Sequence, residues 1–232
     1  PDTVWVEMST TDSQEVIRLS KLVEEKHGYA ADAPVSGGCH RAATGNISIF
    51  AGCDRATFER LLPLLSVMGR RVLHTGELGS ASKLKVMTNY LATANLVAVT
   101  EALAACAKVG LDLGVAYEAI AASSGTSFVH ETEGQVILNG SRDINFTMDL
   151  VKKDVGLFIS MAAEAGMQLE LADLVAGIFD DGIERYGPRE WSPNIIRRLE
   201  DDYGIDVVAP GFPAEMVDTE PEELGGEIRV RR

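Results

Sequence analysis

The 232-residue chain is poor in the residues that build disulfide frameworks and metal sites. Its three cysteines, Cys39, Cys53 and Cys106, are odd in number and include no CxxC pair. We therefore expect neither a disulfide framework nor a zinc site, and a reducing compartment such as the cytoplasm. The four histidines also lack the spacing of metal ligands, so each is expected to be structural.

Positive charge is scarce as well. Lys and Arg number 21 against 35 Asp and Glu, which gives a net charge of −14. This balance argues against a nucleic-acid partner, because phosphate binding requires clustered Lys and Arg. No basic segment followed by an apolar run opens the chain, so no secretory signal is expected. No GxGxxG motif lies between a predicted strand and helix, so no segment is predicted to hold a dinucleotide pyrophosphate.

What the sequence does contain is one long apolar helix. It is predicted over residues 82–110, with Ser82 as the N-cap, Gly110 at the C-terminal end, and no proline or glycine between them. Apolar side chains nearly encircle it, which is typical of a helix buried in a larger protein. Because the helix also carries Lys, Asn, Thr and Glu101, we expect a buried helix of a soluble protein, not a membrane span.

Two polar residues stand out at the start of this helix. Lys85 and Asn89 are four residues apart and share one face. They indicate either the mouth of a site, with the ammonium directed at a substrate, or a lysine at the helix edge that extends to water. On the helix alone, the second interpretation is favoured.

The rest of the chain changes character near residue 80. Before it, strands predicted at 3–8, 29–35, 47–51 and 71–74 alternate with helices at 14–27 and 55–68. After the long helix, the pattern predicts only helices, at 114–122, 127–138, 148–165, 169–185 and 195–203. The predicted fold is an α/β domain over 1–82 and an all-α domain over 83–203, built around the long helix. Residues 204–232, rich in Pro, Gly and acids, are predicted to be a tail that is either disordered or packed on a neighbouring subunit.

Two further segments have a chemical interpretation beside a plain one. Residues 32–38, DAPVSGG, end a strand in a glycine pair, at the kind of position where ligands bind in α/β sheets. Glycine lets backbone N–H groups approach an anion, and Ser36 adds a hydroxyl donor, but an ordinary tight turn is the favoured interpretation of this segment alone. Lys152, Lys153 and Asp154 are, by themselves, most simply a solvated charge cluster.

Taken together, four segments in order resemble the β-hydroxyacid dehydrogenases, which include 3-hydroxyisobutyrate dehydrogenase and tartronate semialdehyde reductase. Residues 8–10, MST, resemble the strand end that touches the nicotinamide side of the cofactor. Residues 32–38 are similar to the substrate-binding turn. Residues 79–89, a glycine turn followed by K-x-x-x-N, resemble the entry of the catalytic helix, and residues 146–154 resemble a segment ending in Lys-Asp near the cofactor. The resemblance covers about residues 3 to 190 and outweighs the plain interpretations.

The resemblance implies hydride transfer between NAD or NADP and a small 3-hydroxyacid, of the 3-hydroxyisobutyrate or 2-hydroxy-3-oxopropionate type. It also implies that residues 1–82 are the C-terminal part of a Rossmann-type dinucleotide-binding domain, followed by a substrate and dimerisation domain that forms a homodimer or homotetramer. Neither nucleic acid nor a membrane is an implied partner. The implied roles are general acid/base for Lys85, orientation of the substrate or of Lys85 for Asn89, carboxylate binding for Ser36, Gly37 and Gly38, and cofactor contact for Thr10 and Lys153.

The sequence departs from the family pattern at several positions. Ala81 replaces the second glycine before the catalytic helix, and Thr88 stands where small-acid enzymes usually have Asn and 6-phosphogluconate dehydrogenases have His. The identity of the acid is therefore open. The family's dinucleotide fold precedes the 8–10 segment, which implies that this chain is the C-terminal part of a longer enzyme.

Two alternatives follow from these departures. One is an imine or semialdehyde reductase of the same architecture. The other is a non-catalytic dimerisation or regulatory protein that has lost the cofactor fold. The missing glycine motif favours the second alternative, whereas the retained Lys85 and Asn89 argue against it.

Overall fold

The computed structural model describes residues 2–230, and these fall into two compact units. Unit one comprises residues 2–88 together with 218–230, and unit two comprises residues 89–217. The division falls within the long helix, between Thr88 and Asn89, later in that helix than residue 82.

Unit one contains a mixed sheet. Its strands are β1 (Val4–Glu7), β2 (Tyr29–Asp32), β3 (Val35–Ser36), β4 (Ser48–Gly52), β5 (Arg71–Gly76) and β6 (Gly226–Glu227). The order is β1-β2-β4-β5-β6, with β3 paired to β4. The β1-β2, β4-β5 and β5-β6 pairs are parallel, and β4 runs antiparallel to β2 and β3. The predicted strand over 29–35 is divided in two around Pro34, which has no N–H to donate to a ladder.

The helices that begin in unit one are α1 (Ser13–Glu24), α2 (Gly38–Ala43), α3 (Arg55–Met68) and the long α4 (Ser80–Lys108). Val16, Phe58 and Leu65 are buried on α1 and α3, and Ile49 and Val72 are fully buried on β4 and β5. Each such side chain contributes roughly 1.5–3 kcal/mol when buried. The short α2 was not predicted, because it buries no residue and therefore has no apolar face to reveal it.

Helix α4 begins earlier than predicted. Ser82 is not its N-cap but lies inside the first turn, and its backbone N–H donates to Asp32 Oδ2 over 2.6 Å. Asp32 Oδ1 accepts from the backbone N–H of Gly79 over 2.8 Å. The carboxylate of Asp32, which is distant in sequence, therefore caps α4, whereas the prediction assigned the cap to Ser82. At the other end, Gly110 has a φ of 79°, as expected for a helix terminator.

The burial of α4 is uneven. Leu96, Val99 and Leu103 are buried, but Leu84, Met87 and Leu91 are 37–58% exposed and lie on one face. The expectation of burial all round is therefore wrong for this face. By length and composition alone, α4 also meets the criteria for a membrane-crossing helix, with 39% of its most apolar window buried.

Unit two is helical, as predicted. Its further elements are α5 (Leu113–Ala121), α6 (Phe128–Asn139), α7 (Met148–Glu164), α8 (Glu170–Tyr186), a 3-10 turn (Ser192–Ile196) and α9 (Arg197–Tyr203). They pack with α4 around a continuous core that includes Leu103, Ile137, Met148, Phe179 and Ile196.

The prediction for the tail is wrong over its described part, because the segment packs on this chain itself. In unit two, Val207 is fully buried, and the backbone N–H of Ala209 donates to Leu138 O over 2.8 Å. Residues 218–230 belong to unit one, where β6 extends the sheet beside β5.

Buried and half-buried partners explain why this acidic segment is ordered. The Glu220 carboxylate lies 2.7 Å from an Arg41 nitrogen, 3.1 Å from Arg71 and 3.7 Å from Arg70. Asp218 accepts hydrogen bonds from Thr44 and Asn46. Burial alone would raise the pKa of Asp218, but these hydrogen bonds outweigh it and lower the pKa to about 2. The acids that suggested disorder are thus paired with groups far away in sequence.

We expect Glu220→Gln to destabilise unit one, because it removes the charge on which three arginines converge. The free energy of unfolding should fall by about 1–2 kcal/mol. Fully buried hydrogen bonds to charged groups contribute somewhat more than this, but the Glu220 side chain is partly exposed. Urea unfolding followed by Trp5 fluorescence, in a Trp191→Phe background, measures it. Glu222→Gln, an exposed acid of the same segment, is the control and should change stability by less than about 0.5 kcal/mol. Equal effects of the two substitutions would contradict this account.

Candidate active site

The turn at residues 36–38 joins β3 to α2. Gly37 and Gly38 have φ values of 132° and 84°, in the region that favours glycine. Helices α1 and α3 are capped by Asp12 and Asp54, and α4 by Asp32. The N-cap of α2 is Gly37, which has no side chain with which to cap its own helix.

Lys85 lies in α4, shortly after the turn of helix that Asp32 caps. The residue is only 7% exposed. Its side chain therefore does not extend into bulk water, as a lysine at a helix edge would. The Thr88 hydroxyl donates a hydrogen bond to Lys85 O over 3.0 Å. The hydrogen of this hydroxyl is therefore used by the helix backbone.

Asn89 and Lys153 are brought together in unit two by a third residue, Asp154. Asn89 Nδ2 donates to Asp154 Oδ2 over 2.6 Å, and Lys153 Nζ lies 2.7 Å from Asp154 Oδ1. Asp154 is 1% exposed, so its carboxylate requires such partners. The bond fixes the Asn89 amide with its nitrogen toward Asp154, which leaves Oδ1 as the atom directed elsewhere.

Thr10 lies in the turn between β1 and α1 and is half-buried. Unit one thus carries Thr10, the 36–38 turn and Lys85, while unit two carries Asn89 and Lys153. Sequence reasoning quoted Asp32 and Asp154 as parts of motifs but gave them no role. The signal available for both was a carboxylate placed among apolar residues, which requires a partner when buried.

The described residues do not fit the pyrophosphate of a dinucleotide. An anion of that kind binds at a helix N-terminus reached by a glycine-rich turn. The β1–α1 turn contains no glycine, and the N-termini of α1, α3 and α4 are already capped by Asp12, Asp54 and Asp32. The cofactor contacts that the family resemblance implies for Thr10 and Lys153 stay a prediction.

Other reactive groups in residues 2–230 give no second centre. These residues contain no cluster of three or more His, Cys, Asp or Glu that could hold a metal ion. Burial raises the pKa of Cys53 to about 12, so its thiol is not poised as a nucleophile. Burial also raises the pKa of Glu133 on α6 to about 8, and its buried Oε2 accepts no hydrogen bond from the described residues.

Two protein-family models match the chain. Residues 1–76 match the NAD binding domain of 6-phosphogluconate dehydrogenase. Residues 79–199 match the NAD-binding region of NADP-dependent 3-hydroxyisobutyrate dehydrogenase. The two matches meet at the turn that precedes α4.

Individual proteins give the same picture. The chain is 33% identical over 206 residues to 2-(hydroxymethyl)glutarate dehydrogenase of Eubacterium barkeri, covering 88% of this chain and 68% of that protein. It is 32% identical over 164 residues to 2-hydroxy-3-oxopropionate reductase of Escherichia coli K12, covering 71% of this chain and 56% of that one. The solved structure of a 3-hydroxyisobutyrate dehydrogenase from Salmonella typhimurium superposes with a TM-score of 0.78 at 27% identity, covering 84% and 69% of the two chains.

We expect Asn89→Asp to destabilise unit two in a pH-dependent manner. It places a second carboxylate against Asp154 Oδ2, and two adjacent carboxylates raise the pKa of one of them. Stability is therefore retained at low pH, where the pair shares a proton, and is lost as pH rises. At pH 8 the loss should be about 1–3 kcal/mol, measured by urea unfolding with Trp191 fluorescence in a Trp5→Phe background. Asn95→Asp, on the same helix, is the control; a pH-independent loss common to both variants would refute the contact.

We expect Glu133→Gln to stabilise the protein at alkaline pH only. The folded-state pKa of about 8 lies above the ordinary value of 4.5, so folding favours the protonated acid. Its contribution is fully present below about pH 4.5 and is lost as pH rises toward 8. The variant should therefore equal the parent near pH 4.5 and exceed it by about 1–3 kcal/mol at pH 8.5. The same unfolding assay measures this, with the exposed Glu118→Gln as control. A variant less stable than the parent at pH 8.5 would contradict the assignment.

Proposed function

The chain belongs to the β-hydroxyacid dehydrogenase family, and we propose that the protein containing it transfers a hydride between a nicotinamide cofactor and a small 3-hydroxyacid. The observation that carries the proposal is the burial of Lys85 at the entry of α4, with Asn89 one turn further on. A lysine is rarely buried in an otherwise apolar helix without a role. Unit one is then the C-terminal part of the dinucleotide-binding domain, and unit two the substrate and dimerisation domain.

The proposed substrate class is argued from the three similar proteins described above. The names of the E. barkeri, E. coli and S. typhimurium proteins all describe acids whose reacting carbon is the third, counted from the carboxylate. The acid would lie with its carboxylate on the turn of Ser36, Gly37 and Gly38, where both glycines have positive φ values. Its reacting oxygen would face Lys85. The matched description of an NADP-dependent enzyme favours NADP over NAD.

The bound nicotinamide supplies or accepts the hydride. Lys85 is the general acid/base: in reduction its ammonium gives a proton to the carbonyl oxygen, and in oxidation its amine takes the proton of the hydroxyl. The ammonium also stabilises negative charge that develops on that oxygen. Asn89, held by Asp154, presents Oδ1 as an acceptor that orients the hydroxyl or the ammonium. Thr10 and Lys153 contact the cofactor.

The protein is proposed to act in the cytoplasm as a homodimer or homotetramer. The exposed face of α4 formed by Leu84, Met87 and Leu91 supports self-association, because large apolar side chains clustered on a surface are characteristic of interfaces. An imine or semialdehyde reductase with the same residues is the first alternative, which a panel of acids, aldehydes and imines separates. A non-catalytic role is the second, and the capped helix N-termini favour it for this chain taken alone.

Lys85→Ala tests the proposal in the full-length protein. Loss of a general acid/base should lower kcat by about 10²–10⁴-fold. Cofactor binding, measured by the quenching of protein fluorescence, should be preserved. Lys83→Ala, an exposed lysine two residues earlier on the same helix, is the control and should leave kcat unchanged. Near-normal turnover by Lys85→Ala would reject the role of Lys85, and failure of any nicotinamide cofactor to bind would favour the non-catalytic alternative.

A further inference from the structure

We propose that Asp32 is a positioning residue that sets the place of Lys85 by fixing the first turn of α4 to the sheet. Asp32 is fully buried at the end of β2, yet it is a carboxylate. Both of its oxygens are used, and both accept from backbone N–H groups of the turn that begins α4. The inference rests on the proposed function, because the position of Lys85 matters for turnover only if Lys85 acts on the substrate.

The geometry makes this contact a two-point attachment. Oδ1 accepts from Gly79 and Oδ2 from Ser82, three residues further on, with distances of 2.8 and 2.6 Å. Two bonds from one rigid carboxylate fix both the height of the helix above the strand and its rotation about its own axis. Lys85 follows Ser82 by three residues, or just under one turn, so the same rotation determines where its side chain points.

The sheet is shaped to admit this carboxylate. Asp32 pairs directly with Gly52 across β2 and β4. A Cβ atom on Gly52 would overlap Asp32 Oδ1 and would lie 3.0 Å from the backbone nitrogen of Ala81. Only a residue without a side chain lets strand, carboxylate and helix meet at this distance. Glycine at this position is thus a requirement of the Asp32 contact.

A further tie, between uncharged groups, lies beside it. The Thr75 hydroxyl donates to Ala51 O over 3.2 Å and is 2.7 Å from the Ser80 hydroxyl. This bond holds Ser80 near the sheet, but it contacts the helix at one residue only. A single contact does not fix the rotation of α4 about its own axis, whereas the two oxygens of Asp32 do.

Asp32 ends β2, and the chain continues through β3 into the turn at residues 36–38, which is proposed to hold the substrate carboxylate. Asp32 therefore connects the proposed binding turn, four residues ahead in sequence, with the helix that carries the proposed acid/base. A change at Asp32 should shift Lys85 relative to a bound acid without removing any group that binds the acid. The expected signature is a fall in kcat with little change in KM.

Asp32→Asn tests this, because an amide can accept one N–H but turns its own NH₂ toward the other. We expect kcat to fall by about 10- to 100-fold, the cost of a misplacement of roughly 1 Å, while KM for the acid stays within about threefold. Amide hydrogen exchange over residues 79–85 should accelerate in the purified chain even without cofactor. Gly52→Ala, which keeps the carboxylate but displaces it, should give the same pattern if Asp32→Asn does not fold.

Two matched controls separate positioning from general stability. Asp54→Asn removes a carboxylate cap from α3, whose N-terminus Asp54 holds through Thr57 N over 3.0 Å. Gly226→Ala adds a Cβ in the same sheet where nothing lies within 4 Å. Both should leave kcat, KM and exchange over residues 79–85 unchanged.

The outcomes can be told apart. Unchanged kcat in both Asp32→Asn and Gly52→Ala, or an equal loss in Asp54→Asn, overturns the positioning role. If the unsubstituted protein transfers no hydride in the same assay, the proposed function itself fails. If Lys85→Ala keeps turnover, the proposed role of Lys85 fails. If Lys85→Ala loses turnover while the Asp32 and Gly52 variants keep it, only the positioning inference fails.

Discussion

The bond between the Asp32 carboxylate and the N-terminus of α4 is the interaction on which the arrangement of unit one depends. The four N–H groups at a helix start have no partner within the helix, and a buried carboxylate has no water. Each group satisfies the other, and Gly52 leaves the space in which they meet. Removing either partner leaves the other buried and unsatisfied. This coupling ties a helix of 29 residues, which continues into unit two, to one edge of one strand.

A second carboxylate plays a comparable part in unit two. Asp154 receives the amide of Asn89 and the ammonium of Lys153, and so joins two motifs that are 64 residues apart, from Asn89 to Lys153. In unit two a buried acid thus holds two side chains that have a proposed chemical role, whereas in unit one Asp32 holds the backbone of the helix start that precedes Lys85. The hydrogen bonds of such acids are directional and charged, so they fix the orientation of the groups that they bind, whereas apolar packing has no such directionality.

Features that depend on neighbouring residues were predictable from the sequence, whereas contacts between distant residues were not. Strands and helices were predicted nearly to their observed bounds, because hydrophobic periodicity is a local property and α3, for instance, displays it fully. Lys85 and Asn89 stood out because polar residues interrupt an apolar helix. The cap of α4 was assigned to Ser82, the nearest residue of the right type, because the true cap lies 47 residues before Gly79. The tail was predicted to be either disordered or packed on a neighbouring subunit, because it is rich in Pro, Gly and acids. Its partners Arg41, Arg70 and Arg71 surround Glu220 only once the sheet has formed.

Carboxylates at helix N-termini also bear on where a dinucleotide can lie. A helix start attracts an anion, and whichever anion is covalently attached occupies it at a far higher effective concentration than a free ligand. Asp12, Asp54 and Asp32 therefore close α1, α3 and α4 to a pyrophosphate. A pyrophosphate bound by the whole protein would therefore take its contacts from residues other than these three helix starts.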